Sequence, residues 1–356
     1  MKNVYTASVV GVGMGGRLSM SALRSSSRFE LVAAADIRPE ALERARKDYP
    51  GIKTFGSHKE MFKKCATDVV CVSTYAPSHL PITLDALKTL LLRGILVEKP
   101  LGDTSAAGRE ILRRVRAKKL PMAVPHGLLT APHALEILKR VHRGEIGRLE
   151  LMEVQCDKWD AINAGIHWMN FFVNLTRNEP IDFVLSAVDA TTRTYRDGMQ
   201  VETEAVSYVV TKSGVRCVMQ TGDDVNVVRR GKDLLFRLVG TRGIIEFPGW
   251  ESACTILNKE FPQGKLLTRF AEVPCTGHQR HLEWMADQMD AAQPDYAIPE
   301  SSLMALEICE AIYFSAKTRQ KVVFPLDSFE PKPLPRWSPG KPYSGRGGGR
   351  DGRKLA

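Results

Sequence analysis

Short apolar runs alternate with amphipathic segments through the N-terminal part of the chain. The amphipathic segments have helical spacing or a helix-forming composition, at residues 20–25, 39–48, 59–65, 80–92 and 105–118. The apolar runs lie at residues 5–10, 31–35, 69–73, 95–97 and 122–124. Continuous apolar strands that alternate with helices are typical of a parallel sheet covered on both faces. Residues 1–125 are therefore predicted to form an α/β domain with a doubly wound parallel sheet, which binds ligands at the carboxyl ends of its strands.

The pattern changes after residue 125, where strands begin to follow one another with few helices between them. Helices are predicted at residues 133–142, around His167, at 278–292 and at 301–318. The β-rich runs lie at residues 149–156, 183–194, 202–210, 215–220, 234–239, 243–247 and 322–324. Successive strands of this kind favour an open, mainly antiparallel sheet. Residues 126–327 are therefore predicted to form a second, C-terminal α/β domain.

A glycine-rich turn follows the first apolar run and precedes the first helical segment. Gly11, Gly13 and Gly16 form the pattern Gly-x-Gly-x-x-Gly, with Met14 and Gly15 inside it. The first glycine permits a tight bend, the second lets the backbone approach a pyrophosphate, and the third lets the helix pack closely on the strand. The helix N-terminus adds free N–H groups and a partial positive charge. This turn predicts a dinucleotide site in a Rossmann domain.

Asp36 ends the second apolar run, twenty residues after Gly16. A carboxylate at this point can accept both hydroxyls of an adenosine ribose, and it would repel a 2′-phosphate. We therefore expect NAD rather than NADP as the cofactor. Arg38 keeps NADP open, because its guanidinium could contact a 2′-phosphate as well as stack on the adenine.

An ionisable pair, Glu98 and Lys99, follows the apolar run at residues 95–97 and precedes Pro100. The pair lies at the edge of the sheet where this fold places its ligands. Lys99 could hydrogen-bond a substrate hydroxyl or carbonyl and assist in moving its proton. An ordinary surface lysine beside Glu98 is the alternative.

The order of these motifs resembles that of a known enzyme family. After the glycine turn and Asp36, Thr74 and His79 follow the run at 69–73, and Glu98-Lys99-Pro100 comes next. Further short motifs lie at residues 144–147, 165–167, 240–243 and 315–318. From residue 4 to residue 325 the chain resembles the glucose–fructose oxidoreductase/inositol dehydrogenase (Gfo/Idh/MocA) family.

The resemblance implies a Rossmann domain followed by an α/β domain whose open sheet often mediates homodimers or homotetramers. It implies NAD(P)-dependent hydride transfer at a carbinol of a sugar, inositol or related polyol. Lys99 would position the reacting hydroxyl, and His167 would accept its proton, for which a neutral imidazole is suited near pH 7. By the same resemblance, Thr74 and His79 correspond to positions near the nicotinamide half of the cofactor. Ser73, Glu98 and Lys99 are further candidate cofactor-binding residues.

The sequence departs from the family pattern around His167. The family's acid four residues before the histidine is Asn163 here, and the acid often found three residues after it is Asn170. A common arginine is also missing, and His126 lies nearby as a candidate for the same pocket. Asparagine keeps the hydrogen bonding but removes a negative charge that would stabilise a protonated imidazole. Proton transfer could then depend more on Lys99, or net dehydrogenation could be weakened.

Four polar residues around His167 share a helical spacing. Asn163, His167, Asn170 and Asn174 are four, three and four residues apart, which places them on one face of a single α-helix. A solvated face is one interpretation of this stripe. With the family alignment, amides and an imidazole suit an uncharged polyol, whose hydroxyls both donate and accept. We expect a neutral sugar, inositol or glycoside as the substrate, with these binding residues: Lys99, His126, Asn163, His167 and Asn170.

Two other functions stay open within the family. Some relatives retain NAD and use transient oxidation for glycoside cleavage or epimerisation, and others are non-catalytic regulators that bind NAD and sugar. A nucleic-acid partner is not expected, because seven basic residues and one acid at 331–356 carry most of the net charge of +10. Dispersed bases without interleaved aromatic residues give weak, salt-sensitive binding. Residues 328–356 are predicted to be a basic, disordered tail rich in proline and glycine.

The composition is that of a soluble protein with two cores. A chain of 356 residues with 44% hydrophobic content is long enough for two domains. No apolar run approaches the ~20 residues needed to span a bilayer, so we expect a cytoplasmic protein with no membrane partner. The cysteines and histidines show no metal-ligand spacing, and no metal is expected.

Overall fold

The computed structural model describes residues 2–191, 194–228, 231–271 and 273–326. The predicted basic tail at 328–356 lies outside the described residues. The chain divides into two compact units. The first contains Met1–Pro125 and Pro274–Leu303, and the second contains His126–Val273 and the chain from Met304 onward.

The first unit is built on a six-stranded parallel sheet. Its strands are β1 (Tyr5–Val10), β2 (Phe29–Ala35), β3 (Lys53–Phe55), β4 (Val69–Val72), β5 (Gly94–Val97) and β6 (Met122–Ala123). The connecting helices are α1 (Met14–Ser25), α2 (Pro39–Asp48), α3 (His58–Lys64), α4 (His79–Ala86) and α5 (Ser105–Ala117). The strand order β3-β2-β1-β4-β5-β6 reverses direction between β1 and β4, which is where a doubly wound sheet binds its ligand. The predicted Rossmann sheet is confirmed.

The main differences from the prediction in the first unit concern one strand and two helices. The edge strand β3 was not predicted, because its three residues are too few to show a period. Helix α4 ends at Ala86 rather than at residue 92. The apolar residues after it include Leu90, which is fully exposed, so they do not continue a buried helical face. Helix α1 begins directly after Gly13, earlier than predicted.

The second unit is built on a nine-stranded sheet in the order β16-β15-β14-β13-β7-β12-β11-β8-β17. Its strands are β7 (Leu149–Asp157), β8 (Ile181–Asp189), β11 (Glu204–Thr211), β12 (Arg216–Gly222), β13 (Leu234–Gly240), β14 (Gly243–Phe247), β15 (Cys254–Asn258), β16 (Lys265–Leu267) and β17 (Val322–Val323). A separate hairpin pairs β9 (Thr194–Arg196) with β10 (Met199–Val201). Strands β7 and β12 are parallel, and the other described pairs of the sheet are antiparallel. The open, mainly antiparallel sheet is confirmed.

Helices α6 (Pro132–His142), α7 (Ile166–Leu175), α8 (Gly277–Ala291) and α9 (Ala297–Thr318) complete the described elements. Helix α8 returns to the first unit, where Leu282, Met285 and Met289 lie in the same core as β1 and α1. A side chain at Gly94 would lie only 2.8 Å from the sulfur of Met289, so the helix packs directly on β5. None of the helices in the described ranges is both long and apolar enough to cross a bilayer.

Candidate cofactor and substrate sites

The glycine turn has the geometry of a phosphate cradle. Gly11 has φ +89°, and a Cβ on it would lie 2.5 Å from the carbonyl oxygen of Ser73. A Cβ on Gly16 would lie 1.8 Å from the oxygen of Gly11, so neither position accepts a side chain. At Gly13 the nearest atom to such a Cβ is Nη2 of Arg38, 3.7 Å away. The space above Gly13 is therefore left open by the protein itself, as a bound pyrophosphate requires.

The N-terminus of α1 is also open to an anion. No side chain caps it and its first turn, which contains Met14 and Gly15, holds no acidic residue. Its free N–H groups and the helix dipole therefore favour a negatively charged ligand. The turn and the helix together fit the dinucleotide predicted from the sequence.

Asp36 lies at the end of β2 and is almost fully buried. Its carboxylate accepts a hydrogen bond from the N–H of Val12 at 2.7 Å and from Nε and Nη2 of Arg38, each at 3.0 Å. Burial raises the pKa of Asp36, but the hydrogen bonds from Arg38 and Val12 outweigh it and lower the pKa below its ordinary value. The carboxylate is therefore ionised at neutral pH. The half-exposed guanidinium of Arg38 is held against it.

His79 links the loops that follow β4 and β5. Its Nδ1 lies 3.0 Å from the carbonyl oxygen of Pro100, and its Nε2 lies 2.9 Å from that of Thr74. The ring is fully buried, and burial lowers its pKa, although the carbonyl of Thr74 and the charge of Glu98 oppose this. Ser73 begins the first of these loops, with its N–H donated to the oxygen of Val10. This arrangement lets His79 position Thr74; contact of either residue with nicotinamide stays a prediction.

Glu98 joins the glycine turn to the Lys99 loop. Its carboxyl group lies 3.3 Å from the position that a Cβ of Gly15 would take, and it accepts a 3.3 Å hydrogen bond from the N–H of Lys99. His278, in the first turn of α8, places its Nε2 2.7 Å from Oε1 of Glu98. Burial raises the pKa of Glu98, but the charge and hydrogen bond of His278 and the charge of Lys99 lower it overall. This contact of His278, which lies on a helix far along the chain, was not predicted.

In the second unit, His167 lies in a cluster of aromatic and imidazole rings. Its ring centroid is 5.3 Å from that of His126 and 5.5 Å from that of Trp250. His126 is buried, His167 is half-buried and Trp250 is half exposed. The rings of His126 and His167 are therefore neighbours; that they line one substrate pocket stays a prediction. Trp250 was not predicted, because nothing in the sequence around it sets it apart from a core aromatic residue.

The four-residue stripe around His167 is not carried by one regular α-helix. Residues Ala161–Gly165 form a π-helical turn, and the regular turns of α7 begin only at Ile166. A π-turn takes more residues per turn than an α-helix, because its hydrogen bonds join residues i and i+5. The predicted common α-helical face is therefore wrong for Asn163. The solvated-face interpretation is also excluded, because Asn163 and Asn170 are 4% and 1% exposed. Asn174 donates its side-chain N–H to the backbone oxygen of Asn170 at 2.8 Å.

A buried polar network holds the π-turn. Oδ1 of Asp160 accepts hydrogen bonds from the backbone and side-chain N–H groups of Asn163, at 2.7 and 2.9 Å. Oδ2 of Asp160 pairs with Nη1 of Arg196 at 3.1 Å. Glu202 accepts from the N–H of Ala161 at 2.7 Å and from the hydroxyl of Tyr313 at 2.6 Å. Asp160, Arg196 and Glu202 are each at most 1% exposed.

The network combines two carboxylates with one guanidinium. Burial, together with the negative charge of Asp160, raises the pKa of Glu202 to about 7. The guanidinium of Arg196 also lies over the ring of Trp159, 4.3 Å from its centroid. Sequence reasoning missed this network; the one local signal was an acid three residues before Asn163. Its members otherwise come from separate parts of the chain.

These features define a dinucleotide-binding α/β protein with a second, sheet-based unit, and the comparisons with known proteins agree. Residues 6–126 match the GFO_IDH_MocA family model, described as an oxidoreductase family with an NAD-binding Rossmann fold. This N-terminal stretch of the chain is similar to the NAD-binding domain of those oxidoreductases, and its cofactor is NAD.

Similar proteins are found among curated sequences and solved structures. The uncharacterized oxidoreductase YfiI of Bacillus subtilis is 28% identical over 177 residues, which cover 43% of this chain and 44% of that protein. The match therefore spans less than half of that relative's length. The aldose-aldose oxidoreductase of Caulobacter crescentus, complexed with glycerol, has TM-score 0.75 at 18% identity, covering 91% of this chain and 100% of its own. A levoglucosan dehydrogenase, in complex with NADH and levoglucosan, has the same TM-score and coverage at 15% identity. At these identities the structural likeness shows the fold.

Proposed function

We propose that the protein is an NAD-dependent oxidoreductase that transfers a hydride between a carbinol carbon of a neutral sugar, inositol or glycoside and nicotinamide. The observation that carries this proposal is the position of Glu98. Its carboxyl group lies against Gly15 of the cofactor turn and accepts the N–H of Lys99. The carboxylate of Glu98 therefore contacts both the backbone of Lys99 and the turn that we propose binds the dinucleotide. NADP is the less favoured cofactor, because the ionised carboxylate of Asp36 would repel a 2′-phosphate.

When bound, NAD supplies the hydride acceptor. The chain has to hold the reacting hydroxyl and take up its proton as the carbonyl forms. We assign the first role to Lys99, whose ammonium can donate to the hydroxyl oxygen. We assign the second to His167, and Asn163, whose amide is oriented by Asp160, is a further candidate for this step.

The surroundings of His167 favour an uncharged substrate. They comprise the rings of His126 and Trp250 and the buried amide of Asn170. Imidazole and amide groups both donate and accept hydrogen bonds, as hydroxyls do. Glycerol and levoglucosan, which are bound in the two structural relatives named above, are also neutral, and this supports the same substrate class.

Substitution of Lys99 tests the proposal. K99A should lower kcat by about a hundredfold or more, the scale of a lost proton-handling group, with little change in the Kd of NAD. K88A is the matched control, because Lys88 is an exposed lysine of the same unit that pairs with Asp85. An unchanged kcat in K99A, measured on a substrate that the wild type oxidises, would contradict the role of Lys99.

We further propose that the nine-stranded sheet forms a homodimer or homotetramer contact. Leu185, Val206 and Val323 lie on neighbouring strands and are 46%, 41% and 39% exposed. The strand register places them on one face, since Leu185 pairs with Tyr208 and Val323 pairs with Phe183. Such an apolar face favours association. V206E should lower the molar mass measured by light scattering to that of the monomer; an unchanged mass would contradict this contact.

A further inference from the structure

Trp250 leaves half of a large aromatic side chain in solvent beside the candidate proton acceptor. It is 50% exposed, and its ring centroid lies 5.5 Å from that of His167 with the ring planes at 81°. Exposing an indole forgoes a large amount of hydrophobic stabilisation. A half-exposed tryptophan beside a polar site therefore calls for a ligand that covers it.

The backbone that leads into Trp250 takes a conformation that only glycine fits. Gly249 has φ +60°, and a Cβ on it would lie 2.0 Å from Cδ2 of Leu234, so no other residue fits there. The buried ring of His133 places Nε2 2.7 Å from the carbonyl oxygen of Gly249. These contacts fix the turn that follows β14 and set the direction in which Trp250 leaves it.

The indole itself packs against Gly127 and Trp168. A Cβ on Gly127 would lie 2.8 Å from Cζ3 of Trp250, so the indole packs against bare backbone there. The ring of Trp168 lies 5.3 Å away on the buried side, tilted by 55°. An aromatic ring fixed in this way loses little entropy when a ligand covers it.

We propose that Trp250 is a stacking platform for one face of the substrate ring and that it selects cyclic polyols over open-chain ones. The inference rests on the proposed function and names the substrate class of the same site. The face of an indole carries partial negative charge and attracts the polarised C–H bonds on one side of a pyranose or inositol ring. An open-chain polyol presents no such rigid face and has to lose rotamer freedom to lie flat. A ring seated on the indole presents its hydroxyl rim to His167.

The test measures binding of the polyol separately from its oxidation. Calorimetric titration of the NADH-loaded protein with myo-inositol, a methyl glucoside and sorbitol gives binding constants without oxidation, because the cofactor is already reduced. In W250A the Kd of the two cyclic compounds should rise roughly tenfold or more, and that of sorbitol at most about twofold. In W250F, which keeps a smaller aromatic face, the rise should stay below about threefold. W284F, on α8 of the first unit, is the matched control and should change none of these constants.

The outcomes separate this inference from the proposed function. Unchanged binding of cyclic compounds in W250A, or an equal loss for sorbitol, would overturn the stacking role even if the wild type forms NADH from them. Failure of the wild type to bind either cyclic compound would also overturn it. Selective loss of cyclic binding in W250A, without NADH formation by the wild type, would support the platform and contradict the proposed oxidation. If W250A does not fold, the constants of W250F can still be compared with those of the wild type.

Discussion

Asp160 accepts two hydrogen bonds from Asn163, one from its backbone N–H at 2.7 Å and one from its side-chain amide at 2.9 Å. The side-chain bond fixes the orientation of the amide, because only its nitrogen can donate to a carboxylate. The carboxylate of Asp160 thus places a negative charge close to position 163, where the family has its acid. This carboxylate is paired with Arg196. Asn163 therefore does more than replace the acid that the family has at this position. Its neutral amide is held in one orientation by the buried ion pair of Asp160 and Arg196.

Restoring the family acid at position 163 should therefore harm the protein. N163D would place a second buried carboxylate at hydrogen-bond distance from Asp160, and like charges at that distance raise the pKa of the new group. A carboxyl group whose pKa is raised on folding destabilises the folded state increasingly as the pH rises. We expect N163D to lose about 2 kcal/mol or more at pH 8 and less at pH 5, measured by urea unfolding. N174D, at a half-buried position of α7, is the control; equal losses in both variants at both pH values would contradict this account.

Glu202 should give the wild type a measurable loss of stability with increasing pH. Its pKa is raised from 4.5 to about 7 in the folded protein by burial and by Asp160. The folded state therefore binds this proton more tightly, so the stabilisation is complete below about pH 4.5 and is lost as the pH rises through 7. E202Q removes the titration while keeping groups that can bond Ala161 and Tyr313. The unfolding free energy of E202Q relative to the wild type should rise by about 3 kcal/mol between pH 4.5 and pH 8; a difference independent of pH would show that Glu202 titrates normally.

Gly11 and Gly13 of the cofactor turn should respond differently to substitution. G13V adds a side chain where the protein leaves space, so its Tm should change little while the Kd of NADH rises by at least about tenfold. G11A forces a Cβ against the carbonyl of Ser73 at a positive φ, so it should lower the Tm itself. Thermal unfolding and NADH fluorescence titration measure the two effects. Tight NADH binding by G13V would show that the dinucleotide does not lie over this turn.

Arg38 should decide cofactor preference once Asp36 is removed. In the wild type its guanidinium is held by the Asp36 carboxylate. D36A removes the charge that repels a 2′-phosphate and releases a cation able to bind one. The ratio of kcat/KM for NADP to that for NAD should rise roughly tenfold or more in D36A. The double variant D36A/R38A should lose most of this increase. A ratio unaffected by R38A would remove Arg38 from cofactor recognition.

The sequence predicts features formed by contiguous residues well. It predicts contacts between residues that are far apart along the chain poorly. Both sheets follow from the spacing of apolar runs, and the Gly11 turn follows from a contiguous motif; the structure confirms these. The return of α8 to the first unit, which brings His278 to Glu98, is a tertiary event without a local signature. The π-turn before α7 has the same limitation, since residue spacing alone does not show a change of helical pitch.

The buried network shows the same limit at the level of single side chains. Asp160, Arg196 and Glu202 are separated along the chain and converge only when the strands around them have paired. Each alone would be assigned to the surface by its charge. Trp250 is similar, because its exposure depends on a turn that Gly249 and His133 fix.

The most direct test of the central claim is transfer of deuterium from substrate to nicotinamide. The purified protein would be incubated with NAD and an inositol or sugar deuterated at its carbinol carbons, and the reduced cofactor examined by mass spectrometry, with K99A in parallel. The NADH formed by the wild-type protein should carry one deuterium, and K99A should form this deuterated NADH far more slowly. No deuterium in the bound or released cofactor, for any neutral cyclic polyol that the protein binds, would contradict hydride transfer as its function.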